Sequence, residues 1–163
     1  GLMSANSGEV AFETADGALQ PEHVFRHIGY VAPYITLFEE FSAAENLKLY
    51  ANVRGLPFDP SSAKSTLESL GLPSDRKDPI STFSSGMMQR MRLAFATIHS
   101  PDFLFLDEPT SNLDEDGFGV VKALVEQYGK EKCVVIASND YEDLRLCDDL
   151  ISLDGTKPSR HSE

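Results

Sequence analysis

Two unbroken apolar runs constrain this chain more than any other feature: "FLFL" at 103–106 and "CVVIA" at 133–137. Neither alternates, so neither reads as a strand with one wet face. Between them lies "EDGFGVVKALVEQYG", whose apolar residues recur at helical spacing up to Gly129. A short helical stretch, "DYEDLRLCD", follows the second run, and then a third apolar stretch, "DLISLDG". Strand, helix, strand, helix, strand, with buried strands, predicts a parallel sheet covered on both faces.

The first hundred residues read differently. "GEVAFET" alternates enough for a short edge strand, and "HIGYVAP" reads as a second strand ended by Pro33. In "FSAAENLKLYANVRG", Ser42 with Glu45 three residues on forms a capping box. Gly55 is its stop, and Leu47, Leu49, Tyr50 and Val53 form its apolar side. "SSAKSTLESLG" is a shorter helix closed by Gly71. "SSGMMQRMRLAFATIHS" starts at Ser84 and ends before Pro101, with Met87, Met91, Ala94, Phe95 and Ile98 on one side. The organisation expected is an α/β core from 1–39 and 96–163, interrupted by a helical subdomain from 40–95.

With 163 residues, 41% of them hydrophobic, the chain can bury one domain's core. A net charge of -12 argues against a non-specific nucleic-acid binder, which needs a basic face. No apolar run approaches the ~20 residues a membrane-spanning helix needs. Cys133 and Cys147 are too few for a disulfide framework and read as reduced thiols.

Two short stretches carry chemistry. Asp107 and Glu108 end the 103–107 strand, and open parallel sheets collect ligands beyond the carboxyl ends of their strands. An aspartate there can hold the magnesium of a nucleotide, and a neighbouring glutamate can deprotonate a water. In "FSSGMMQR", Ser84 is a helix cap, and Ser85 and Gly86 open the helix. Free N–H groups and the helix dipole suit an anion, and glycine allows close backbone approach. The histidines read blandly: His23 and His27 as surface or turn residues, and His99 as a charge favourable to a helix end.

"FSSGMMQRMRLAFATIHSPDFLFLDEPTSNLD" resembles the signature motif, helix, Walker B strand and D-loop of the ATP-binding cassette (ABC) ATPases. The resemblance extends over nearly the whole chain and is nearest to bacterial haem-exporter-like or multidrug-like transporters. It implies an α/β P-loop NTPase core with a parallel sheet, lacking its N-terminal part, plus an inserted helical subdomain. The family's phosphate loop, GxxxxGK[ST], has no match here; the one Gly-Lys pair, Gly129-Lys130, is followed by Glu131. In the family that loop lies upstream of the segment that here begins "GLMSANSGEV", so an N-terminal truncation is expected. The isolated chain is then expected to bind ATP poorly.

For the parent protein the resemblance implies ATP and Mg2+ as cofactors. Asp107 would help hold magnesium and Glu108 would act as general base. Ser84, Ser85, Gly86 and Met87 would meet the γ-phosphate of ATP held by a second nucleotide-binding domain. Asp114 would belong to the D-loop that crosses that dimer. A transmembrane permease would dock around Tyr34 to Glu45, placing the protein on the inner face of the cell membrane. Two positions depart from the family. Pro33 stands where the Q-loop glutamine is usual, and Asn139 stands where the H-loop histidine is usual. Both weaken the expectation of fast hydrolysis and favour, as the rival, a degenerate regulatory or scaffolding subunit.

Overall fold

The computed structural model describes residues 6–153. A β-hairpin of β1 (Glu13–Thr14) and β2 (Gly17–Ala18) precedes strand β3 (Ile28–Val31). Helices α1 (Ala43–Val53), α2 (Pro60–Ser69) and α3 (Ser85–Thr97) come next. Strand β4 (Phe103–Asp107), helix α4 (Glu115–Gly129), strand β5 (Cys133–Ala137) and helix α5 (Tyr141–Leu144) complete the described chain. Strands β3, β4 and β5 form one parallel sheet in that order.

Register sorts the sheet's residues by face. Gly29 pairs with Leu104, which pairs with Val134; Val31 pairs with Leu106, which pairs with Ile136. Leu104, Leu106 and Val31 on that face join Met91, Ala94 and Phe95 of α3 and Val121, Leu124 and Val125 of α4 in one core. Gly29 is required by this packing. A Cβ there would lie 2.2 Å from the Ala96 carbonyl oxygen and 2.8 Å from Pro101 Cγ.

The opposite face is not covered as expected. Val135 is 45% exposed and Tyr30 38% exposed. Next to the hairpin, Phe12 packs its ring edge-on against Phe103 and Phe105. The order of the strands gives the reason. Crossovers between parallel strands are right-handed, so two successive crossovers that advance in the same direction place their helices on the same face. The expected strand at "DLISLDG" is also not seen. Residues 149–153 have no ladder, with Ile151 89% and Leu153 96% exposed, and Asp154 and Gly155 lie outside the described residues. Apolar character alone does not make a strand without a neighbour to pair with. Strand "GEVAFET" shortens to β1 for the same reason: its partner offers only two residues.

The helical segment is held by local polar chemistry. Ser42 and Glu45 make the full capping box of α1, and Gly55 beyond its end has φ +63°. The buried side of α1 differs from the expected one. Ala43, Asn46, Leu47 and Ala51 are buried while Val53 is exposed, because Asn46 enters the core as a polar brace. Asp59 caps α2 with Pro60 at its first turn. Arg90 of α3 reaches the carbonyl oxygens of Leu70 and Gly71 and so ties α3 to the end of α2.

Candidate functional site

Parallel strands end together, and here β4 and β5 end at residues 107 and 137. Glu108 leaves β4 with φ +48°, an unfavourable region for a residue with a Cβ. Hydrogen bonds hold the turn on its backbone and on its carboxylate. Glu108 N–H donates to Ala137 C=O at 2.9 Å, and Ser111 N–H donates to Glu108 C=O at 3.2 Å. The Glu108 carboxylate is held on both oxygens: Ser138 Oγ donates to Oε2 at 3.0 Å and Asn139 N–H to Oε1 at 3.2 Å. Asp107 is half-buried at the strand's last position.

Glu108 therefore sits beside Asn139. The contact with Asn139 comes from its backbone, and the side-chain contact comes from Ser138, which sequence reasoning missed. The available signal was a hydroxyl at the first position beyond an apolar strand, next to a carboxylate-bearing neighbour strand.

At the other stretch, Ser84 caps α3, its Oγ accepting from Met87 N–H at 3.2 Å. Ser84 and Ser85 are exposed, while the Met87 side chain packs against the core. At Gly86 a Cβ would meet Asn112 O and Leu113 Cδ2 at 3.5 Å, ordinary contact. The start of α3 therefore rests on this chain's own 112–113 turn, and glycine is not sterically demanded by the chain itself. Asp114 is the cap of α4, its Oδ1 accepting from Gly117 N–H at 2.9 Å. A cleft of about 210 Å³ brings Pro33, Ser85, Ser111 and Asn112 to one place, with Met88, Gln89 and Arg92 completing its wall. Asp107, Glu108 and Asn139 lie outside that lining.

Asp107 and Glu108 offer at most two adjacent carboxylates at this strand end. No group of three or more His, Cys, Asp or Glu side chains could hold an ion among the described residues. Magnesium fits one or two carboxylates because it keeps waters and takes phosphate oxygens as its other ligands.

The family model described as ABC transporter matches residues 1–111. The chain belongs to the ABC transporter family. Among relatives of this family member, "Lantibiotic transport ATP-binding protein SrtF" of Streptococcus pyogenes is 32% identical over 139 residues, 85% of this chain and 58% of that protein. "Bacitracin transport ATP-binding protein BcrA" of Bacillus licheniformis is 30% identical over 136 residues, 83% of this chain and 44% of that protein. "ABC transporter ATP-binding protein NatA" of Bacillus subtilis is 29% identical over 159 residues, 93% of this chain and 64% of that protein. The chain spans less than two thirds of each of these relatives. No helix of this ABC family member is long and apolar enough to cross a membrane among the described residues.

Proposed function

We propose that this chain supplies the signature helix, Walker B carboxylates and H-loop region of an ATP-binding subunit that couples ATP hydrolysis to solute movement across a membrane. The observation that carries the proposal is the Glu108 carboxylate. It stands at the carboxyl end of the sheet and is oriented through both oxygens by Ser138 and Asn139. A carboxylate has about four lone-pair sites, so two remain to accept from a water. Asp107, the last residue of β4, would hold Mg2+ together with phosphate oxygens and waters. Ser84, Ser85 and Gly86 present a capped helix start to the γ-phosphate of ATP held by a second such domain. Met87, whose N–H is taken up by the Ser84 cap, stands at the same helix start, and Asp114 anchors the turn that would border the second domain. The names of the relatives, all ATP-binding proteins of transporters, support the transport role.

A membrane partner docks at the start of the helical segment, residues 34–45. Tyr34 is 73% exposed, and Phe38 and Phe41 are exposed with ring centroids 6.1 Å apart. Beside them Phe41, Glu45, Lys48, Leu49 and Asn52 line a largely apolar hollow. Exposed aromatics around a shallow hollow suit a short helix of a permease, and with such a partner the subunit would lie on the membrane's inner face. Nucleic acid is not the partner, given a net charge of -12.

The second reading is a regulatory or scaffolding subunit that does not hydrolyse ATP. Pro33 favours it by offering no side-chain amide, and Asn139 favours it because an amide carries no proton at neutral pH. The test is ATP hydrolysis by the full gene product that carries these residues, against its Glu108→Gln variant. Loss of a general base lowers kcat by about 100-fold or more. Magnesium-dependent turnover abolished by Glu108→Gln supports the first reading. ATP binding without such turnover transfers the assignment to the second.

A further inference from the structure

Gln89 is the one uncharged polar side chain of α3 buried beside the Glu108 turn, 3% exposed. Every polar atom of its amide is engaged. Nε2 donates to Pro109 C=O at 3.1 Å and lies 3.4 Å from Glu108 C=O. Oε1 accepts from Arg92 Nη1 at 3.1 Å. Arg92 in turn donates Nε to Ile35 C=O at 3.1 Å. The arrangement has one sense only. With the amide turned over, its oxygen would face two carbonyl oxygens and its NH2 a guanidinium, so Arg92 fixes which way Gln89 points.

The relay spans three elements. Ile35 belongs to the turn that leaves β3, where Ile35 N–H bonds Ala32 C=O. Glu108 and Pro109 form the turn that leaves β4. Gln89 and Arg92 lie one turn apart on α3, between them. Glu108 holds φ +48°, a conformation the surroundings must enforce. The Gln89 amide holds the two peptide carbonyls that follow this residue, those of Glu108 and Pro109, and so fixes the path the chain takes out of the strained position.

We propose that Gln89, oriented by Arg92, is a positioning residue for Glu108: it holds the backbone turn that aims the carboxylate and ties that turn to the chain leaving β3. The proposal rests on the reading of Glu108 as general base. It also gives the docking segment a mechanical path to the site, because Ile35 lies within residues 34–45.

The test uses the full gene product with two readouts, amide hydrogen exchange without nucleotide and steady-state ATPase kinetics. Gln89→Leu keeps the volume and removes both donors. It should speed exchange across residues 108–113 by about tenfold and lower kcat by about tenfold, with KM for ATP within about twofold, because losing buried hydrogen bonds to the turn costs alignment rather than ATP contact. Exchange in α2 and β5 should not change. Gln89→Glu keeps the Arg92 pairing but presents an oxygen to the two carbonyls, and should give the same local result even where the leucine variant folds badly. Arg92→Met should show a smaller effect of the same pattern. Unchanged exchange at 108–113 in both Gln89 variants overturns the proposal. Faster exchange throughout the chain in both variants also overturns it, since Gln89 is then only a core residue. Exchange is read without nucleotide, so it decides the anchor independently. A wild type that binds but does not hydrolyse ATP refutes the general-base reading alone.

Discussion

Ser138 donates its hydroxyl to Glu108 Oε2 at 3.0 Å, joining the first residue beyond β5 to the first residue beyond β4. The same Oγ accepts from Asp140 N–H at 3.0 Å, so its rotamer is set by the cap of α5. The hydroxyl therefore has one hydrogen to give and one recipient for it. Ser138→Ala removes this grip and leaves only Asn139 N–H on the carboxylate. A hydrogen bond to a charged group contributes about 1.5–3 kcal/mol, which corresponds to a fall of about tenfold or more in kcat of the full gene product. Ser138→Thr retains the hydroxyl and should recover most of the activity. Equal rates for the alanine variant and wild type would show that Glu108 needs no such support.

Much of this site can be read before any coordinates. The Asp107–Glu108 pair, the Ser84 cap, the capping box at Ser42 and the limits of α4 follow from residue type and spacing, because caps and strand ends are local chemistry. Ser138 and Gln89 could not be found that way. Their partners lie 30 and 20 residues distant and are reached only once β4, β5 and α3 have packed. The open sheet face was misread for a related reason. "FLFL" and "CVVIA" are apolar on both faces, but only the order of strands decides where the helices fall, and order is not a property of a strand's own residues. Asn46 was invisible as a core residue because periodicity reads asparagine as surface.

Gly29 should tolerate no side chain. The clash of 2.2 Å is with the backbone of α3 at Ala96, which cannot rotate away as a side chain can. Gly29→Ala must separate α3 from the sheet, and overpacking of this kind costs about 1–3 kcal/mol or more. The urea midpoint of the full gene product should fall accordingly. A variant as stable as wild type would mean that α3 has slack against β3.

Asn46 braces the turn that displays Phe38 and Phe41. Its Oδ1 accepts from Phe38 N–H at 3.0 Å. Its Nδ2 is shared among Phe38 C=O at 2.9 Å, Ser42 C=O at 3.0 Å and Phe41 C=O at 3.2 Å. Asn46→Leu keeps the volume but leaves Phe38 N–H without its acceptor, at a cost of about 1–3 kcal/mol, while the three carbonyls keep backbone donors from Phe41, Asn46 and Ile80. Thermal unfolding should drop, and association with the membrane partner should weaken with it. If stability falls but association does not, the aromatics are not the docking surface.

His99 should make the fold less stable in mild acid. Its Nε2 lies 3.1 Å from Ile28 C=O and donates to it, leaving Nδ1 buried without a partner among the described residues. Burial first, then the nearby Arg54 guanidinium, push its pKa down to about 4; the Ile28 carbonyl opposes the shift and His27 adds slightly to it. The residue is thus a neutral donor, not the cation expected near a helix end. The unfolded chain takes up the proton near the ordinary value of about 6.5, while the folded chain resists it until about pH 4. Between those limits the unfolded state binds more protons, so stability rises with pH. It is fully present above about pH 6.5 and declines steadily as pH falls toward about 4. Asp102 acts lower down. Lys132 at 2.6 Å, then His27 at 2.6 Å, hold its carboxyl below the usual range, so its contribution is lost only as pH falls through that depressed value. Melting temperatures from pH 7 to 4 should therefore slope downward in wild type and flatten in His99→Gln, which can still donate to Ile28 but takes up no proton. An unchanged slope in that variant would assign the acid limit to another group.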